Sequence, residues 1–185
     1  MNNSILYLIT VLVWGSTWLA IEYQLGVVEP EVSIAYRYAV AALVLFVWCR
    51  LRGLTLRFSA KDHVYFVLLG LLLFCLNYIF AYRAQVYITS ALAAIAFSTM
   101  LWMNIILSRV FFGTRVTLHV LAGALLGIVG IVVLFAPQIE AIAVTDSMFF
   151  GSVLALGGAL TASFGNMLSQ SAQKRQLPVV ETNTW

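Results

Sequence analysis

The chain has 185 residues, of which 63% are hydrophobic and only 9% are charged, and its mean hydropathy is +1.00. A soluble domain has about 45–50% apolar and about 25% charged residues, so this composition excludes an ordinary soluble globule. It predicts an all-α, polytopic bundle of transmembrane helices. The net charge is only +3, so the positions of the charges are more informative than their sum.

Six apolar segments have roughly the length of a membrane-spanning helix, which needs about 20 residues. In chain order they cover residues 4–23, 32–48, 63–82, 87–111, 118–136 and 148–168. Turn-forming residues separate most of them, namely Gly26 with Pro30, Gly53, Gly113 and Pro137. The break at residues 83–85 is short, which predicts a tight hairpin between the third and fourth segments.

Basic residues collect in alternate loops, a pattern that marks the cytoplasmic side of a membrane protein. Eight of the ten Lys and Arg residues lie on one predicted face, namely Arg50, Arg52, Arg57, Lys61, Arg109, Arg115, Lys174 and Arg175. Arg83 lies on the other face and Arg37 lies within the second segment. The pattern predicts a multi-pass membrane protein with a cytoplasmic N-terminus.

Glu22 and Arg37 are the ionisable residues within the apolar segments, where a charge is costly and therefore often functional. One interpretation is an ion pair, or two side chains that extend to the outer interface. The other is a role in substrate binding or proton coupling. Under the second interpretation, we expect Arg37 to face a cavity and to bind an anionic group.

Several other side chains are candidates for the wall of a substrate cavity. Trp14 lies midway along the first segment, next to Ser16 and on the same face as Trp18. Polar residues in such helices also join neighbouring helices by hydrogen bonds, so each has a structural alternative. The predicted substrate-binding residues are Trp14, Ser16, Arg37, Asn77, Tyr78 and Ser98, which together would suit a small amphiphilic metabolite.

Small residues recur in the last two segments at the spacing that lets membrane helices approach closely. In the fifth segment they are Gly123, Gly127 and Gly130. In the sixth segment they are Gly157 or Gly158, Thr161, Gly165 and Ser169. Both series predict helix packing, and neither indicates a ligand.

No enzyme, cofactor or metal site is predicted. The sequence lacks the common metalloprotease, serine hydrolase and phosphate-binding motifs. Cys49 and Cys75 lie in apolar runs without metal-type spacing, and His63 and His119 lie near helix ends. The basic residues follow the membrane topology, so nucleic acid is not an expected partner.

Three stretches together resemble the EamA-type branch of the drug/metabolite transporter superfamily. They are Trp14-Gly15-Ser16-Thr17, then Pro30 followed by Tyr36-Arg37-Tyr38, and finally segments at residues 87–94, 112–117 and 123–134. The resemblance covers residues 4–136. Two features depart from it. The family often has a proline midway along the fourth helix, where this chain has Ser98-Thr99-Met100, and its Gly-Glu-Arg motif is Gly113-Thr114-Arg115 here.

The resemblance implies a ten-helix transporter built from two five-helix repeats of inverted topology. Residues 4–136 would form the first repeat, and residues 148–185 would hold the first helix and cytoplasmic tail of an incomplete second one. The implied function is secondary transport of a small metabolite or drug by alternating access, with export as the expected direction. The expected partners are the lipid bilayer and the substrate. A second copy of the chain, in a homodimer, or a missing C-terminal half is a further possible partner.

Two alternatives remain from the sequence. One is a homodimeric exporter like the small multidrug-resistance proteins, which rely on a carboxylate in the first helix, here Glu22. The other is a membrane subunit that does not transport. Because half of the implied cavity wall would be absent, we expect the chain alone not to transport.

Overall fold

The computed structural model describes residues 3–24, 26, 28–140 and 145–185, which form seven helices and, within those ranges, no β-strand. Their bounds are α1 Asn3–Glu22, α2 Pro30–Leu51, α3 Ala60–Gln85, α4 Ser90–Phe112, α5 Leu118–Glu140, α6 Asp146–Lys174 and α7 Val179–Thr184. Helices α1, α2, α3, α4 and α6 are long and apolar enough to cross a membrane, and α5 contributes the shorter apolar stretch Leu118–Leu134. The predicted all-α polytopic bundle is confirmed.

Polar capping residues set several helix ends, which explains why those ends differ from the apolar segments. Helix α3 begins at a capping box in which Ser59 and Asp62 exchange backbone and side-chain hydrogen bonds. The Thr89 hydroxyl accepts a hydrogen bond from the backbone N–H of Leu92 at the start of α4. Caps satisfy the unpaired N–H groups of a first turn. The hydropathy pattern therefore placed the start of α3 three residues late and that of α4 three residues early.

Helices α3 and α4 are each irregular near their middle. Helix α3 is a π-helix over Gly70–Leu76. Helix α4 is interrupted at Thr99, where the hydroxyls of Ser98 and Thr99 donate to the carbonyls of Ile95 and Ala96, each at 2.6 Å. Such back-bonding competes with the helical ladder and bends helices. Helix α4 is thus interrupted in the region where the resemblance implies a proline, although this chain has none there.

Helix α6 lies at the centre of the bundle, against α3 and α4. Gly151, Gly158 and Gly165, each two helical turns from the next, form the contact face. A β-carbon at Gly165 would lie 2.9 Å from the Leu73 Cβ, and one at Gly158 would lie 2.6 Å from the ring tip of Phe97. Glycine is needed here because the neighbouring helices leave no room for a methyl group.

Helix α5 is packed far less closely. A β-carbon at Gly123, Gly127 or Gly130 would meet no heavy atom within 4 Å, and most described side chains of α5 are exposed. Ala124 is the buried position, at 3% exposure. Within the described ranges, the prediction that the α5 glycines pack a neighbouring helix is therefore wrong, because their face points away from the other helices.

One end of the bundle joins the α1–α2 and α3–α4 connections. Arg83 and Glu31 form a salt bridge of 2.6 Å, and the Ser90 hydroxyl donates to the Glu22 carboxylate at 2.7 Å. The first pair links α3 to α2, and the second links α4 to α1. This end corresponds to the face that the charge pattern predicts to be outside.

The opposite end joins the basic loops. Arg175, just after α6, forms a salt bridge of 3.2 Å with Asp62 at the start of α3. Helix α7 packs against α2, and the indole N–H of Trp185 donates to the Leu56 carbonyl at 3.2 Å. Since α1 ends at the first face and α6 ends at this one, α6 runs antiparallel to α1.

Candidate functional site

A cavity of about 370 Å³ lies between α1, α3, α4 and α6. Trp14 and Trp18 come from α1, Asn77 and Tyr78 from α3, Phe97 and Ser98 from α4, and Ala162 and Asn166 from α6. All four helices contribute residues from their middle turns. The cavity therefore extends from about half depth, where substrate sites of transporters are commonly built, to Ile21 in the last turn of α1.

Aromatic rings form much of the cavity wall. The rings of Trp18 and Phe97 meet edge to face, with centroids 4.9 Å apart, and both pack against the buried cluster around Ala84 and Ala155. Edge-to-face aromatic pairs contribute more stability than their buried area alone would give. This wall is held in place from behind, so it offers a firm surface for a flat or apolar group.

Asn77 lines the cavity and carries a buried polar atom that lacks a protein partner. Its amide nitrogen donates to the Leu73 carbonyl at 3.1 Å. Its side-chain oxygen is buried and has no hydrogen-bond partner within the described part of the chain. An unsatisfied buried acceptor is costly, and a donor group on a ligand would relieve that cost.

The two irregular helix segments flank this cavity. Leu73 and Phe74 belong to the π-helical part of α3 and line the cavity, and Asn77 follows directly after it. Ser98 and Met100 line it on either side of the α4 interruption. π-Segments inside α-helices are frequent at functional sites. Here they alter which side chains of α3 and α4 face the interior.

Four of the six predicted substrate-binding residues line the cavity: Trp14, Asn77, Tyr78 and Ser98. Ser16 does not, since its hydroxyl donates to the Val13 carbonyl of its own helix at 3.1 Å. The structure brings the four together from three helices that lie apart in sequence.

Arg37 lies behind the cavity wall instead of facing the cavity. Its guanidinium carbon is 4.9 Å from the centre of the Tyr78 ring and 6.0 Å from that of Tyr38. The Tyr38 and Tyr78 rings also meet edge to face at 5.3 Å. A cation over an aromatic face is attracted to the ring electrons. The expectation that Arg37 faces the cavity is corrected: Arg37 supports Tyr78, which does line it.

Glu22 and Arg37 do not form the ion pair that the sequence suggested. Glu22 accepts a hydrogen bond from Ser90 at the end of α1, and Arg37 contacts Tyr38 and Tyr78. Glu22 is the last residue of α1, whereas Arg37 lies about two turns into α2, and each has another partner. A role for Glu22 and Arg37 in proton coupling stays a prediction.

Asn166 is a polar cavity residue that sequence reasoning missed. It projects from α6, and its amide nitrogen contacts the Asn104 side-chain oxygen at 3.4 Å and the Met100 sulfur at 3.8 Å. The small-residue pattern predicts a packing role for Gly165 and says nothing about the next residue, Asn166. A polar side chain at membrane depth was the available signal.

The cavity lining holds no charged side chain among the described residues. Those residues also contain no group of three or more His, Cys, Asp or Glu side chains placed to hold a metal ion. The arrangement can stack apolar or aromatic surface and exchange hydrogen bonds with a few polar atoms.

Comparison with known proteins places this arrangement in a family. The profile of the EamA-like transporter family matches residues 2–136. The chain is 30% identical to Protein PagO of Salmonella typhimurium over 125 residues, which cover 68% of this chain and 41% of that protein. It is 25% identical to an uncharacterized transporter of Archaeoglobus fulgidus over 183 residues, covering 99% of this chain and 63% of that one.

A solved structure titled "Crystal structure of protein" shares the fold, with a TM-score of 0.72 and 22% identity over 94% of this chain and 60% of that chain. The uncharacterized transporter YoaV of Bacillus subtilis is 24% identical over 94% of this chain and 59% of its own length. The chain thus spans between 41% and 63% of these curated relatives. By the family match over most of its length, this multi-pass membrane protein belongs to the EamA-like transporter family.

Proposed function

We propose that the chain belongs to a secondary transporter that moves small amphiphilic molecules across the bacterial inner membrane, with export as the direction. The observation that carries the proposal is the mid-depth cavity, with two tryptophans on one side and the free Asn77 oxygen on another. In alternating access, such a cavity opens first to one side of the membrane and then to the other.

The lining supports a neutral, amphiphilic class of substrate. A charged group that entered the cavity would lose its water without meeting an opposite charge in the described lining, which is costly. A neutral molecule with an aromatic or branched apolar part and a hydrogen-bond donor fits the observed surfaces. The donor would meet the Asn77 oxygen, and the apolar part would contact Trp14, Trp18 and Phe97.

The repeat organisation is a further part of the proposal. Residues 4–136 would form the first five-helix repeat, and residues 148–185 would hold the first helix and tail of a second repeat. Helix α6 follows the matched residues, runs antiparallel to α1 and supplies a wall of the same cavity. These features support inverted repeats around one site.

Thermal unfolding of the purified chain in detergent tests the binding part. The probes are paired compounds that share an aromatic scaffold: one neutral with a hydroxyl or amide donor, the other carrying an added carboxylate. We expect the neutral member to raise the melting temperature, since a ligand that binds only the folded state stabilises it. We expect Asn77→Ala to reduce that shift and Thr10→Ala, on the exposed part of α1, to leave it unchanged.

Preferential binding of the carboxylate probe is the outcome that would contradict this proposal. Stronger stabilisation by the carboxylates, lost in Arg37→Ala, would restore Arg37 as the anion-binding residue and contradict a neutral substrate. If membrane vesicles that contain the chain do transport, everted vesicles should accumulate an exported probe and right-side-out vesicles should not. Proteoliposomes holding only this chain test the expectation that it does not transport alone.

A further inference from the structure

A second groove lies beside the cavity, toward the basic loops. It has a volume of about 360 Å³ and lies between α4, the start of α5 and α6. Its polar lining residues are Asn104, Ser108, Thr114, Arg115, Asn166 and Gln170. We call it the α4–α6 groove. The side-chain oxygen of Gln170 is buried there without a hydrogen-bond partner in the described chain.

The cavity and the α4–α6 groove follow one seam between two helices. On α4, Met100 lines the cavity and Asn104, one turn further on, lines the groove. On α6, Ala162 lines the cavity and Gln170 lines the groove. Side chains four residues apart share a helix face, so each helix presents a continuous stripe from one space to the other.

Asn166 lies at the junction of these stripes and lines both spaces. Its amide nitrogen reaches across to α4, to the Asn104 oxygen at 3.4 Å and the Met100 sulfur at 3.8 Å. Both contacts are long for their type. They close the seam with weak bonds and without a charge pair.

We propose that the contact between Asn166 and Asn104 is a gate between the cavity and the basic-loop side, and that substrate passes along the seam between α4 and α6. This inference rests on the proposed transport function and deepens it. When the gate opens, the amides of Asn166 and Asn104 are released to bind a passing neutral molecule. The Asn77 and Gln170 oxygens would receive its donor groups before and after the gate.

The gate can be tested without a substrate, by thiol labelling with a membrane-impermeant, negatively charged methanethiosulfonate. The parent chain carries Cys75→Ala, and Cys49 stays in place because it is fully buried, at 0% exposure. Ser98→Cys reports on the cavity and Ser108→Cys on the groove. The reagent is applied to everted vesicles, which expose the basic loops, and the rate of modification is measured.

We expect Ser108→Cys to react rapidly whether or not Asn166 is present. Ser98→Cys should react slowly, and Asn166→Ala should speed its reaction about fivefold, as expected from the loss of one modest hydrogen bond. Asn104→Ala should give a smaller increase, because Asn166 keeps its contact with the Met100 sulfur. The double variant should react no faster than Asn166→Ala alone, because that change already removes the contact with Asn104. Ser169→Ala, also on α6 but outside both linings, is the control and should change nothing.

Equal Ser98→Cys rates with and without Asn166 would overturn the gate. So would effects of Asn166→Ala and Asn104→Ala that add, since general loosening of the bundle adds and loss of a shared contact does not. If Asn166→Ala fails to fold, Asn104→Ala tests the same contact from α4. If Asn166→Ala speeds the labelling of Ser98→Cys but no probe binds, the gate is kept and the transport proposal is rejected. If a probe binds but Asn166→Ala leaves the labelling rate unchanged, the transport proposal is kept and the gate is rejected.

Discussion

Helices α5 and α6 carry similar series of glycines, yet only one series is used for packing. In α6, a β-carbon at Gly151, Gly158 or Gly165 would come within 3.0 Å of α3, α4 or the turn between them. In α5, a β-carbon at Gly127 would meet nothing within 4 Å. The difference teaches that a small-residue motif shows where a helix can approach closely, whereas the partner helix decides whether it does.

The same comparison explains why the cavity lies where it does. Because α6 approaches α3 and α4 so closely, its residues Ala162 and Asn166 reach the space that α1, α3 and α4 enclose. None of the described side chains of α5 lines the cavity. The tightly packed helix is thus also the one that completes the site.

The largest effect should come from adding a methyl group at the most confined α6 glycine. In Gly151→Ala, the new β-carbon would lie 2.7 Å from the Tyr87 Cβ and 3.2 Å from the Ala84 carbonyl oxygen. Neither atom can move without its backbone. We expect the free energy of unfolding in detergent to fall by about 2 kcal/mol, measured by denaturant titration. If the free energy of unfolding falls by only a small fraction of that amount, α6 lies further from α3 than it does in the structure.

A smaller loss of stability, with an effect on binding, is expected at Gly158. The atom closest to the new β-carbon in Gly158→Ala is the ring tip of Phe97, at 2.6 Å. That ring can turn, so the cost should be about 1 kcal/mol. Because Phe97 lines the cavity, its displacement should also weaken probe binding, as measured by the ligand-induced shift in melting temperature. Unchanged binding would separate the α6 contact from the site.

The smallest effect is expected in α5. Gly127→Ala adds a methyl group to open space, and alanine favours a helix over glycine by about 1 kcal/mol in water. The free energy of unfolding should therefore stay unchanged or rise slightly in the same titration. A clear loss at Gly127 would mean that this face of α5 meets a partner, and the contrast between the two helices would disappear.

Much of the fold could be predicted from the sequence, because hydropathy and loop charge depend on local composition alone. The apolar segments, the alternation of loops between two faces and the absence of a β-strand signal all follow from it. The exact helix ends did not follow, because caps such as Ser59 and Thr89 act through hydrogen bonds. The end of the fifth segment was also predicted too early, because α5 continues past Pro137 to Glu140.

The candidate site was predictable only in part. Trp14, Asn77, Tyr78 and Ser98 could be selected because polar and aromatic groups at membrane depth are unusual. The position of Arg37 could not, because it depends on the Tyr38 and Tyr78 rings. The π-helical segment of α3 was also missed, since seven apolar residues there carry no local marker of a changed helical period.

The central claim is that the cavity between α1, α3, α4 and α6 binds the substrate, and tryptophan fluorescence tests it most directly. Trp14 lines the cavity and Trp48 on α2 lies outside it, and both indoles are largely exposed, at 64% and 50%, so Trp14→Phe and Trp48→Phe form a matched pair. With a neutral amphiphilic probe, we predict that Trp14→Phe raises Kd about fivefold, because the phenyl ring covers less of the probe than the indole and lacks its N–H. It should also reduce the quenching, and Trp48→Phe should change neither. Equal Kd values for both variants and the parent chain would contradict the account.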